Sequence, residues 1–257
     1  MKRVSDAVLT LPLRWSAASD IGKVRDENQD VFFVGDELAL FLVSDGIGGH
    51  QGGALASKII AEDLPVIIET GLDKLRTHSP RAIRSLFKKA VVEQSKQLQI
   101  EGTSETGYRG MGATLVMALL RDNRAYIANV GDSRLYLFRK GRLSQRSRDH
   151  SVVAGLLRQG RIEPMEAENH FAQGQLTHYV GMEEKTFAYV RTFMLKEGDR
   201  LLLCTDGLTD MISDGNIAMI LQREVDCQAA CEALVSAANA AGGYDNVTVL
   251  VIDWLAH

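Results

Sequence analysis

The chain has 257 residues, 46% hydrophobic and 24% charged, which excludes a disordered tail protein and suffices for one large core or two small ones. Lys and Arg number 29 against 33 Asp and Glu; the net charge of −4 excludes a general nucleic-acid binder, whose phosphate partners demand a basic face. The 23 glycines are above and the 4 prolines far below the usual abundance, so the glycines serve tight turns within a fold rather than a linker.

Residues 1–15 read as an N-terminal arm. Met1-Lys2-Arg3 opens like an export signal, but Asp6, Pro12 and Arg14 break any apolar region. No run reaches the ~18 apolar residues of a membrane span, and a cytoplasmic protein is the expectation. The remainder, 16–257, reads as a single domain.

Short apolar runs follow, many bounded by Asp-Gly or Gly-Asp. Val31 to Val34 and Leu38 to Val43 read as strands. Gly53 to Ile68 has a helical period near 3.6. Ser79-Pro80 is an N-cap with proline in the first turn, and Ile83, Leu86, Phe87, Ala90, Val91 and Leu98 line one face of the helix it starts. Gly102 is a stop signal for that helix. Ala113 to Leu120, Arg124 to Val130 and Arg134 to Phe138 read as three more strands. Residues 161–175 are polar, contain Pro164, and read as a mobile surface segment of the kind that edges a site. Arg200 to Cys204 and Val247 to Ile252 are continuous apolar strands of the fully buried type. Asp226 caps a last helix that turns Cys227, Ala230, Cys231, Leu234, Val235 and Ala238 inward. Cys227 and Cys231 read as buried small hydrophobes, with a disulfide or metal pair as the lesser alternative. Short turns between strands imply antiparallel pairing, and separate helix blocks imply layers over a sheet, giving an α+β fold.

The informative pattern is where aspartates fall. Asp45, Asp132 and Asp206 end hydrophobic strands, while Asp30 and Asp245 open them. Each alone reads as turn chemistry, since Asp accepts local backbone N–H bonds. Five together can converge on one pocket, where like charges repel unless a cation intervenes. Carboxylates with a backbone carbonyl and waters suit Mg²⁺ or Mn²⁺, and Gly46 lets the backbone approach an ion. Arg25, five residues before Asp30, is either a surface arginine or a planar fork for a phosphate. Metal carboxylates plus such a fork point to phosphoester hydrolysis.

The segments resemble the metal-dependent Ser/Thr protein phosphatases of type 2C in their compact bacterial form. Asp20-Ile-Gly-Lys-Val-Arg-Asp-Glu-Asn-Gln-Asp30 resembles the opening motif, and Val43-Ser-Asp-Gly-Ile-Gly-Gly-His-Gln-Gly52 the central metal motif. Gly110-Met-Gly-Ala-Thr114 and Asn129-Val-Gly-Asp-Ser-Arg134 resemble the mid-chain motifs. Asp149-His-Ser-Val-Val and Leu157-Arg-Gln-Gly-Arg-Ile162 resemble the approach to the family's flap, here about 161–175. Cys204-Thr-Asp-Gly-Leu-Thr-Asp210 and Gly243-Tyr-Asp-Asn-Val-Thr248 resemble the last two metal motifs. Each motif alone is weak; the ordered set, over about 17–253, is specific.

The resemblance implies a four-layer α/β/β/α sandwich of two antiparallel sheets. It implies that Asp45 bridges two Mn²⁺ or Mg²⁺ ions and that the Gly46 carbonyl binds one of them. Asp206 and Asp245 would hold the first ion, Asp30 would act on the second mostly through water, and Asp132 would join Asp206 at a third, weaker site. Arg25 would clamp the substrate phosphate while a metal-bridging hydroxide attacks phosphorus in line, with no phosphoenzyme. His50, in the glycine-rich turn, is a candidate acid for the leaving oxygen, beside a structural reading. The implied partners are a phosphorylated protein and a bacterial Ser/Thr kinase that the enzyme opposes, and the implied state is a monomer. Two departures stand out: Gln29 where the family often has Glu, and His178 where an arginine is common.

Other readings fare worse. Gly46-Ile-Gly48-Gly49-His-Gln-Gly52 lies between a strand and a helix as a dinucleotide fingerprint would, but its third glycine is one place late and Asp45 would repel a pyrophosphate. A catalytically silent phosphatase-like binding module is the alternative from another class. Such modules usually lose metal carboxylates, and here Asp30, Asp45, Asp206 and Asp245 are all present with Arg25.

Overall fold

A computed structural model describes residues 13–47, 49–104, 108, 110–167 and 169–255, with the backbone alone at 49–51 and 104. In chain order the first half contains β1 (Leu13–Asp20), β2 (Asp30–Gly35), β3 (Leu40–Ile47), α1 (Gly49–Asp73), α2 (Pro80–Ser104), β4 (Gly112–Ala113), β5 (Leu115–Arg121) and β6 (Arg124–Val130). Then come β7 (Arg134–Arg139), β8 (Arg142–Gln145), α3 (Val152–Arg158), α4 (Pro164–Ala167) and β9 (Tyr189–Met194). The chain closes with β10 (Asp199–Cys204), α5 (Asp206–Thr209), α6 (Asp214–Arg223), α7 (Cys227–Ala240) and β11 (Val247–Trp254).

The strands form two antiparallel sheets. One has the order β1-β11-β10-β7-β8; the other runs β2-β3-β5-β6-β9, with β4 paired to β3. Side chains alternate across a strand, so a strand apolar on both faces needs a cover on each side. In β3, Leu40 and Leu42 join α1 and α2 in one core, while Phe41 and Val43 point the other way. In β11, Val247, Val249 and Val251 pack with α6 and α7, while Leu250, Ile252 and Trp254 meet the second sheet. The middle core is therefore the seam between sheets, where Phe41, Val43, Val116 and Ile127 face Leu137, Leu201, Leu203 and Leu250. Each such buried side chain contributes about 1.5–3 kcal/mol of burial free energy. Three cores separating four layers give the α/β/β/α sandwich expected from sequence.

Helix starts follow local chemistry. Asp226 Oδ1 accepts from the N–H groups of Gln228 and Ala229, as expected for the cap of α7. Ser79 Oγ accepts from the Ala82 N–H ahead of α2. Cys204, Cys227 and Cys231 are free and buried, which bears out the small-hydrophobe reading.

Three expectations need correction. The last part of the expected arm, Leu13–Trp15, is sheet: Leu13 pairs with Trp254 and Trp15 with Ile252. Gly102 does not stop α2, which runs to Ser104. α1 begins at Gly49 rather than Gly53 and continues past Ile68 to Asp73, with Pro65 inside it. Among the described residues, no helix is long and apolar enough to cross a membrane.

Candidate metal centre and active site

The site lies where strand ends from both sheets meet. Asp30, the first residue of β2, is the direct cross-strand partner of Asp45 in β3. Two carboxylates directly opposite each other are destabilising unless something else holds them. Asp206 opens α5 immediately after β10, and Asp245 lies just before β11. Asp132 follows β6. Asp45, Asp132, Asp206 and Asp245 line one cavity of about 710 Å³, together with Gly46 and Arg25. The structure thus brings together the sequence-predicted carboxylates, with Asp30 buried beside them at 7% exposure.

The motif residues around these acids act as supports. The Asp45 N–H donates to Thr114 Oγ1 at 3.0 Å, and its carbonyl accepts from the Thr114 N–H at 2.8 Å. Ser133 Oγ lies 2.6 Å from Thr114 Oγ1, so the two mid-chain motifs buttress the central one. Across the sheets, the Thr205 hydroxyl donates to Asp30 Oδ2 at 2.8 Å and accepts from the Thr248 N–H at 3.0 Å. Asn246 holds the opening loop: its Oδ1 accepts from the Gln29 N–H, and its Nδ2 donates to the Ile21 and Glu27 carbonyls. Sequence reasoning did not single out Thr114, Thr205 or Asn246 as supports. Their signal was adjacency to the motif aspartates, but the partners they hold are distant in sequence.

Glycine at 46 is required for packing as well as for approach to an ion. A Cβ there would collide with the Gly53 carbonyl of α1. Gly207 is likewise pressed against the Asn246 carbonyl.

The electrostatics are those of crowded acids. Burial, then the charges of Asp206, Asp30 and Asp132, hold the Asp45 carboxyl well above the usual range. Burial, then Asp132, Asp210 and Asp245, do the same to Asp206. Asp132 is pushed up to about 7 by burial and the Asp149 charge. Burial lifts Asp30 to about 6 against the lowering hydrogen bond from Thr205. Asp30 Oδ1 and Asp206 Oδ1 are buried without a hydrogen-bond partner. Such orphaned oxygens among repelling carboxylates fit a bound cation.

Among the described residues, no group of three His, Cys, Asp or Glu side chains is placed to hold one ion by itself. The carboxylate and backbone-carbonyl oxygens gathered here suit hard divalent ions such as Mg²⁺ or Mn²⁺, with waters completing the shell.

Arg25 lines the cavity, and its Nη2 donates to Asp245 Oδ2 at 2.7 Å. Gln29 also lines it. His178 packs edge-on against His150 at 5.3 Å between ring centroids and against Phe187 at 6.1 Å. His50 lies in the first turn of α1, but its side chain is outside the described residues. Segment 161–175 contains α4 and edges two cavities: Gly174 and Gln175 line the metal-site cavity, and Ala167, Gln173 and Gly174 line its neighbour.

Comparisons with known proteins show the family and the fold. Residues 23–233 match the family model for protein phosphatase 2C. The Serine/threonine phosphatase stp of Listeria welshimeri is 34% identical over 238 residues, covering 91% of this chain and 93% of that protein. The Protein phosphatase PhpP of Streptococcus pneumoniae is 35% identical over 243 residues, covering 92% and 96%. The crystal structure of the catalytic domain of the serine threonine protein phosphatase PstP, in complex with two manganese ions, superposes with a TM-score of 0.82 at 32% identity. It covers 96% of this chain and 100% of that one. The chain belongs to the protein phosphatase 2C family.

Proposed function

We infer that the protein is a metal-dependent phosphatase that hydrolyses phosphoserine and phosphothreonine on proteins. The observation that carries this reading is the convergence of Asp45, Asp132, Asp206, Asp245 and Arg25 on one cavity. The same residues argue against a silent binding module, which has no use for four crowded acids.

Two divalent ions, Mn²⁺ or Mg²⁺, supply Lewis acidity there, activating water and neutralising charge on the phosphoryl oxygens. Asp45 and the Gly46 carbonyl would help to hold these ions, Asp206 and Asp245 would hold the first, and Asp30 would act on the second mostly through water, its Oδ1 having no hydrogen-bond partner while Oδ2 accepts from Thr205. Asp132 would join Asp206 at a weaker third site. Arg25 exchanges its bond to Asp245 for the substrate phosphate, whose equatorial oxygens match its planar donor fork. His50 is the candidate proton donor to the leaving serine or threonine oxygen.

The substrate is a phosphoprotein whose phosphate a bacterial Ser/Thr kinase installs. The enzyme acts as a cytoplasmic monomer and works opposite that kinase.

The test is hydrolysis of a phosphothreonine peptide and of p-nitrophenyl phosphate in Mn²⁺ and then in EDTA. Turnover in Mn²⁺ and its loss with chelator are expected. Equal rates with and without metal would overturn the mechanism.

A further inference from the structure

A second cavity of about 600 Å³ adjoins the first and shares Asp132, Gly174 and Asp206 with it. Its lining includes Arg148, Arg158 and Arg191, three exposed arginines from three different segments. Among the described residues, none of the three pairs with a carboxylate. Arg148 lies over the Tyr189 ring at 4.8 Å, Arg158 donates to the Asp149 carbonyl at 2.9 Å, and among the described residues Arg191 makes no ion pair. Asp132, Asp149, Asp206 and Asp210 line the cavity too, and Asp149 is paired with Arg134, which contacts it at 2.8–2.9 Å. Nearby Arg146 is pushed down by burial and then by the charges of Arg191 and Arg139, with Asp199 opposing. The cavity thus sets three guanidinium groups that have no carboxylate partner among the described residues beside the acids it shares with the metal site.

We propose that these three arginines form a specificity subsite for a second anionic group on the substrate, an oxyanion flanking the phosphoresidue being hydrolysed. The inference rests on the phosphatase reading above. An extended peptide with its phosphate over Asp45 and Asp206 can continue past Gly174 into the neighbouring cavity. A carboxylate or a second phosphate there meets Arg148, Arg158 and Arg191. The stacking of Arg148 on Tyr189 and the bond from Arg158 to Asp149 limit the side-chain freedom that an anion would otherwise have to remove. Three guanidinium groups against one oxyanion favour recognition through charge-assisted, bidentate bonds.

The experiment uses three phosphothreonine peptides that differ only in flanks: neutral, Asp/Glu-rich, and carrying one additional phosphoserine. kcat/KM is measured in Mn²⁺, and binding of the matching non-hydrolysable phosphonate peptides is read by fluorescence anisotropy. The wild-type protein should favour both anionic peptides over the neutral one by about tenfold, mostly through KM, with the preference shrinking as salt rises. The two anionic arms distinguish a carboxylate from a phosphate as the preferred group. In Arg148→Gln/Arg191→Gln the anionic-to-neutral ratio should fall to about one, and in Arg191→Glu it should invert toward Lys-flanked peptides. Using ratios cancels any general loss of folding or turnover. Equal binding of neutral and anionic peptides by the wild type, or an unchanged ratio in the variants, overturns the subsite. If no peptide is turned over, the phosphatase reading fails, and the anisotropy ratios still decide the subsite.

Discussion

Arg25 Nη2 donates to Asp245 Oδ2 at 2.7 Å, joining two residues 220 positions apart. The residue read as a phosphate clamp and a residue read as a metal ligand thus occupy each other. Any ion taking Asp245 must compete with a guanidinium. Their hydrogen bond, and then the charge of Asp245, in turn hold Arg25 more firmly protonated.

Arg25→Ala should therefore separate two functions. kcat/KM for phosphopeptides should fall by about 10²-fold, as expected when a donor to the transition-state charge is removed. Mn²⁺ affinity by isothermal titration calorimetry should be unchanged or tighter, since a competitor for Asp245 is gone. Weaker Mn²⁺ binding would show that Arg25 supports the metal site rather than the phosphate.

Asp206→Asn removes one of the mutually repelling acids. Activity should drop to near background, and the thermal shift caused by Mn²⁺ should largely vanish. In EDTA the variant should be more stable than the parent by about 0.5–2 kcal/mol, the usual range for relieving a strained functional site. Calorimetry with and without EDTA reads both effects. A variant less stable in EDTA would mean that Asp206 is held by bonds rather than by an awaited cation.

The raised carboxyls set a pH dependence for the metal-free protein. Asp30 at about 6 and Asp132 at about 7 bind protons in the folded state that the unfolded chain, near 3.8, has already released. These groups leave the fold unpenalised at pH 4 and cost it stability as pH rises through 6 and 7. The melting-temperature gain from saturating Mn²⁺ should accordingly be larger at pH 8 than at pH 5. Metal uptake near pH 6 should also release protons, detectable in buffers of different ionisation enthalpy. A gain independent of pH would rule out proton displacement at the site.

Thr205→Val keeps shape and deletes the hydroxyl that joins Asp30 to the Thr248 backbone. The loss should cost about 1–3 kcal/mol in urea unfolding, because a buried carboxylate and an N–H lose their partner. Mn²⁺ affinity should weaken as well, with the Asp30 carboxylate free to turn. Wild-type stability and affinity in this variant would mean that the two sheets are aligned by packing alone.

Much of this was legible in the sequence. The acids at strand ends were visible because each interrupts an apolar run, and β6 was found at its full length, Arg124–Val130, because both of its ends carry turn residues. β1 was missed. Leu-Arg-Trp-Ser-Ala-Ala-Ser-Asp has no clear alternation, and its eight-residue pairing with β11 is what makes it a strand. β9 was missed because its half-buried sequence, Tyr-Val-Arg-Thr-Phe-Met, carries a charge in its middle. Gly102 failed as a stop because the helix cost of one glycine is only about 1 kcal/mol, which the packing of α2 on the sheet outweighs. At the site, residue types were readable and partnerships were not. Nothing local to Thr205 announces Asp30, and nothing local to Arg25 announces Asp245.

The residues read as metal ligands are split between the two sheets, with Asp30 and Asp45 on one and Asp206 and Asp245 at the ends of strands of the other. What sets the gap between them is the hydrocarbon seam of Phe41, Val43, Leu203 and Leu250. The seam works as a calliper: its thickness spaces the carboxylates that one sheet carries from those that the other carries. Because close-packed interiors transmit the loss or gain of a single methylene, residues that touch neither metal nor substrate carry the adjustment of the catalytic distance. A change of metal preference in this fold can therefore arise from oil as readily as from ligands.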